Sequence, residues 1–128
     1  MPVTIDEVLD WLTAAGWSLA RDGRLNYMTS GGDWHYEDPA SETAARAAMN
    51  ATLAAGSVTA ISLWAPEGHG VNTLFFPDAR NISFDLTLNR RLLPGSGMAT
   101  DLGWYLSKLS PAFVGAGLSA VVAKDGRP

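Results

Sequence analysis

The chain contains no cysteine. That absence excludes disulfides, thiolate nucleophiles and cysteine-ligated zinc or iron–sulfur centres. Charge is also scarce: Asp, Glu, Lys and Arg make up 17% of the residues, low for a folded domain. What charge there is leans acidic, 13 Asp and Glu against 9 Lys and Arg, for a net −4. A nucleic-acid binder needs a cationic surface to replace phosphate counterions, so that class is set aside. No apolar run approaches the roughly 18 residues that span a bilayer. The start, MPVTIDEVLD, has neither a basic nor an apolar signal region, so a cytoplasmic protein is expected.

What remains is an apolar chain, 47% hydrophobic in 128 residues, sized for one domain over residues 1–128. Thr4 and Glu7 have capping-box spacing ahead of Ile5, Val8, Leu9 and Leu12, which predicts a helix over Thr4–Ala15 closed by Gly16. Trp17–Thr29 reads as a hairpin. A three-residue loop, Arg21-Asp22-Gly23, would set Leu19 opposite Leu25 and Trp17 opposite Tyr27; a two-residue Asp22-Gly23 loop would set them against polar residues. Ser30–Glu37 reads as a loop. Asp38 and Pro39 then open an alanine-rich helix that Gly56 ends.

Three strands follow, at Val58–Ala65, Val71–Phe76 and Asn81–Asn89. In the last, Ile82, Phe84, Leu86 and Leu88 alternate with Ser83, Asp85, Thr87 and Asn89. Thr100 is the expected cap of a third helix whose inner stripe is Leu102, Tyr105, Leu106 and Leu109, with Pro111 kinking it or starting a second segment. Leu118–Ala123 reads as a short final strand. The order α-β-β-α-β-β-β-α-β implies an α+β fold: a mainly antiparallel sheet of five to six strands, with three helices on one side.

For chemistry, the densest stretch is GGDWHYED, Gly31 to Asp38. Asp33, His35 and Glu37 alternate, so an extended backbone would point all three one way and offer metal ligands. The only other histidine is His69, in a glycine-rich turn, and no H-E-x-x-H spacing exists. Ser96 in PGSGM lacks the nucleophile-elbow pattern, and no phosphate-loop motif is present. No metal and no cofactor is therefore expected.

Recognition survives this elimination. Trp34 and Tyr36 are stiff aromatic groups of the kind that anchor protein interfaces, and folding back as a lid over the sheet is their other possible role. Asp33, Glu37, Asp38 and Glu67 add negative charge that would steer a basic partner. The expected contact set is Asp33, Trp34, His35, Tyr36, Glu37 and Glu67. Ser83, Asp85, Thr87, Asn89, Arg90 and Arg91 make a second polar strip, Trp64 is expected in the core, and Trp11 and Trp104 flank the inner stripes of their helices. The alternative is a small-molecule-binding or hydrolase-like domain with a pocket near His35.

Residues 81–111, NISFDLTLNRRLLPGSGMATDLGWYLSKLSP, join a strand ending in Asn-Arg to a loop, a Thr-Asp pair and a Trp-Tyr helix. This segment, about a quarter of the chain, resembles small immunity proteins encoded beside bacterial polymorphic or secretion-delivered toxins. The resemblance implies no catalysis. It implies a protein that binds a cognate toxin and blocks its active site or substrate path, and it fixes no contact residues.

Overall fold

In the computed structural model the described residues are 4–77, 81–93, 95, 99–116 and 120–124; for 81, 87, 111–116 and 120–124 the description is of the backbone. Ser96 and residues 125–128 lie outside it.

The first helix, α1 (Ile5–Ala14), starts as its sequence dictates. Thr4 Oγ1 accepts from the Glu7 amide and the Glu7 carboxylate accepts from the Thr4 amide, satisfying two of the donors that a helix start leaves free. Ile5, Val8, Leu9 and Leu12 are all buried, and Gly16 ends the helix at φ 104. β1 (Ala20–Arg21) and β2 (Arg24–Thr29) follow, then β3 (Asp33–Glu37), a 3-10 turn at Pro39–Ser41 and α2 (Glu42–Ala54). Asp38 Oδ1 accepts from the Ala40 amide at 2.8 Å, so its expected capping role falls on the 3-10 turn that leads into α2. β4 (Thr59–Trp64), β5 (Gly70–Phe75) and β6 (Asn81–Leu88) form a meander, and α3 (Leu102–Ala116) leads to β7 (Ala120–Lys124).

The result is α+β. The sheet has seven strands among the described residues, in the order β1-β2-β4-β5-β6-β7, with β3 on the remaining edge of β2. Every pairing is antiparallel except β6 with β7. The row Tyr27–Ile61–Thr73–Phe84 crosses four strands on one face, and Leu25, Leu63, Val71, Phe75, Ile82 and Leu86 share it. These side chains form one core with the buried stripe of α1, Ala45 and Met49 of α2, and Tyr105 and Leu109 of α3. Arg46 ties α1 to α2: its guanidinium reaches Asp6 at 3.1 Å, Asp10 at 3.2 Å and Glu42 at 3.1 Å.

Four expectations change. The first hairpin turns on two residues, Asp22 (φ 53) and Gly23 (φ 73), so Ala20, not Leu19, faces Leu25. Two successive left-handed residues give the primed turn whose twist matches paired strands. Leu19 and Trp17 are buried nonetheless, because the chain joins β2 only at Ala20 and, before it, Ser18 bridges to Trp64 of β4 instead. Second, a register shift between β5 and β6 pairs Gly70 with Leu88, so Leu88 sits on the face opposite Phe84. Third, Asp101 caps α3, its Oδ1 accepting from the Trp104 amide at 3.2 Å, while Thr100 is buried and bridges to Leu92. Fourth, Leu102 and Leu106 are 46% and 48% exposed; Tyr105 and Leu109 carry the buried contact, and α3 continues through Pro111 to Ala116.

This division of α3 predicts the outcome of two substitutions. Leu109→Ala should cost about 2–5 kcal/mol, whereas Leu106→Ala should stay within about 0.5 kcal/mol of the parent. Equilibrium urea unfolding of the two variants checks it.

Candidate functional site

The stretch expected as a loop is instead a hairpin arm. Ser30-Gly31-Gly32 turns the chain, with Gly31 at φ 79 and Gly32 at φ 75, and Asp33–Glu37 then pairs with β2 in unbroken register from Thr29↔Asp33 to Leu25↔Glu37. Two positive φ angles in succession favour residues without a Cβ, and the two glycines supply them. Once the backbone is extended, neighbouring side chains part to opposite faces.

The pairing assigns those faces. Asp33, His35 and Glu37 lie with Thr29, Tyr27 and Leu25 on the helix side, while Trp34 and Tyr36 lie with Met28 and Asn26 on the other. The His35 ring stacks on Tyr27 at 4.9 Å between centroids, tilted 24°, and its Nε2 lies 2.9 Å from Thr29 Oγ1. The imidazole is therefore held by both neighbours on β2. Asp33 and Glu37 are exposed at either end of the same face, and neither forms an ion pair among the described residues. Trp34 is half-buried and Tyr36 is 58% exposed.

Five of the six expected contact residues thus share one strand, divided between its faces. Glu67 does not join them. It sits in the turn between β4 and β5, with β1 and β2 between it and β3, and its carboxylate lies 4.0 Å from Lys108 Nζ. The metal geometry does not form either: among the described residues no three His, Asp or Glu side chains converge. Alternate residues of a strand stand nearly 7 Å apart, too far to share an ion without a further element closing over them.

A cavity of about 400 Å³ opens away from His35, at the junction of β1 with the β4–β5 turn. Arg21 spans it. Its Nη1 donates to the Gly68 carbonyl at 2.6 Å and its guanidinium lies 4.9 Å over the Trp64 ring. Trp64, expected in the core, is half-buried and paired with Gly70, where a Cβ would come within 2.5 Å of its ring. Ser18 Oγ in the cavity wall donates to the Ala20 carbonyl at 2.8 Å.

Sequence reasoning did not find the cluster around Trp104, because its members are far apart in the chain. Trp104 packs edge-on against Trp17, His69 and Tyr105, with centroids at 6.4, 5.3 and 4.9 Å. Arg91 lies 5.1 Å over the same ring and pairs with Asp101 at 3.3 Å. Trp11 likewise packs, partly buried, against the core. The expected polar strip on β6 dissolves into such contacts: Ser83 is buried, Asp85 is half-buried, and the Asn89 side chain donates to the Gly68 carbonyl at 3.0 Å. The side chain of Thr87 lies outside the described residues.

No family model, curated protein or solved structure matches this chain. No described helix is long and apolar enough to cross a membrane. The functional reading therefore stands on the geometry of β3 and its surroundings.

Two measurements follow from the Trp64 and Trp104 neighbourhoods. Gly70→Ala should destabilise by about 1–3 kcal/mol through overpacking against Trp64 and the Leu63 carbonyl, with partial recovery in the Trp64→Ala background. Burial raises the Tyr105 phenol above its ordinary 10.0, outweighing the Arg91 amide and the charges of Arg90 and Arg91, which lower it. A raised folded value means stability that is full below pH 10 and falls as pH climbs from there through the folded value. Thermal melts from neutral to strongly alkaline pH should show that decline, and Tyr105→Phe should flatten it.

Proposed function

We propose that this protein is a non-enzymatic binding domain that recognises another protein through β3, and that the partner is a bacterial toxin neutralised in the cytoplasm. The observation that carries the binding reading is the pair Trp34 and Tyr36. They stand side by side on one face of a terminal strand, and Tyr36 is more than half exposed. Aromatic rings held on a rigid element lose little entropy on docking and supply much buried area, which is how interface anchors work. Asp33 and Glu37 supply the complementary charge for a basic partner. The toxin assignment adds the resemblance of residues 81–111 to immunity proteins. Inhibition by occlusion requires only a fitted surface and no reactive group on this chain.

The alternative reading, a small-molecule or hydrolase site at His35, has weaker support. Its imidazole is stacked and hydrogen-bonded within the hairpin, and the cavity described above opens elsewhere, beside Arg21 and Trp64.

The test is co-expression with a toxin module sought in the reading frames beside this gene. A soluble complex should form, and Trp34→Ala with Tyr36→Ala should weaken it at least about thirtyfold, as loss of interface anchors does. The same double variant should lose no more than about 2 kcal/mol of folding stability. Unaltered affinity, or failure of the variant to fold, would remove this face as the binding surface.

A further inference from the structure

We propose that the free edge of β3 is a strand-addition site, and that its occupant is an extended segment of the partner protein in which Lys or Arg alternates with apolar residues. This deepens the protein-binding reading and rests on it.

The first observation is the edge itself. Among the described residues β3 pairs only with β2, so alternate backbone N–H and C=O groups along Asp33–Glu37 have no sheet partner on the outer side. Folded proteins guard such edges with charged side chains, proline, a bulge or very short strands. Residues 33–37 contain no proline and no lysine or arginine, and their five pairs with β2 run without a shift; the charges they do carry, Asp33 and Glu37, are both acidic and oppose only an acidic strand. An extended segment laid alongside would gain main-chain hydrogen bonds whatever its sequence, while its side chains set the selectivity.

The second observation is which side chains an added strand would meet. On one face its residues would lie beside Trp34 and Tyr36, favouring apolar or aromatic neighbours. On the other they would lie beside Asp33, His35 and Glu37, where the two exposed carboxylates favour cations. The matching pattern has period two: apolar, basic, apolar, basic.

The third observation disfavours a second copy of this chain as the occupant. Antiparallel self-pairing in full register would set Asp33 against Glu37 of the other copy, twice. Parallel self-pairing would set each carboxylate against its own counterpart. Like charges directly opposed destabilise a strand pair, and the shifts that avoid them give up cross-strand pairs. The same two residues that attract a basic strand therefore repel self-association.

The experiment uses the full chain and synthetic peptides, read by calorimetry and by the amide resonances of residues 33–37. The probes are a lysine–valine alternating peptide, its glutamate–valine counterpart, and the lysine peptide with every backbone amide N-methylated. The lysine peptide should bind at residues 33–37, and the glutamate peptide at least about tenfold more weakly. The methylated peptide should fail to bind, and the protein alone should be monomeric. In the D33K/E37K double variant the charge preference should reverse. Equal binding of the methylated peptide, absence of charge preference, no binding of any peptide, or dimerisation through β3 would each overturn the proposal. If these results go against it while Trp34→Ala with Tyr36→Ala still abolishes the toxin complex, the aromatic-face reading survives and strand addition alone is lost.

Discussion

One buried face sets the rest of this molecule. The row Tyr27–Ile61–Thr73–Phe84 lies under the helices, and alternation along each strand assigns the faces of its neighbours up to the bulge near Leu88. Tyr27 is the joint: it pairs with Ile61 on one edge of β2 and with His35 on the other, where the imidazole stacks on its ring. Because His35 is held toward the helix side, Trp34 and Tyr36 must point away from it. Their display is a consequence of core packing two strands away.

The same constraint explains what was legible in the sequence and what was not. α1 was readable because its capping box, its apolar spacing and its terminal glycine all act locally. The α+β class and the meander β4–β6 were readable because β4 is a continuous apolar or small run, buried on both faces as a central strand is, while β6 alternates over one covered face. The register of the first hairpin was not. Pairing Leu19 with Leu25 would bury both, but Ser18 bridges to β4 and Leu19 is buried there instead. That partner lies more than forty residues along the chain, beyond the reach of a local argument.

The arm Asp33–Glu37 was misread for a related reason. Its alternation, aromatic residues at two positions and polar residues at three, fits metal ligation as readily as strand pairing. Glycines and carboxylates around it gave loop signals, whereas the Gly31-Gly32 pair makes the turn that allows β3 to return along β2. Leu102 and Leu106 show the opposite error, in which apolar character was taken for burial; α3 leans on the core through Tyr105, Leu109 and the flank of Trp104. Of the candidate contact residues, the sequence brought five together because they are contiguous. It joined Glu67 to them by charge alone, and the fold separates it.

Backbone hydrogen exchange at residues 33–37 tests the central claim most directly. In the free protein, amides turned toward β2 should exchange slowly and those turned outward rapidly, alternating with period two, and the outward set should become protected when the proposed protein partner, or the lysine–valine peptide, is added. Uniformly fast exchange across all five would mean that no strand forms there. Uniform protection in the free protein would mean that the edge is already covered, and either result would contradict the account.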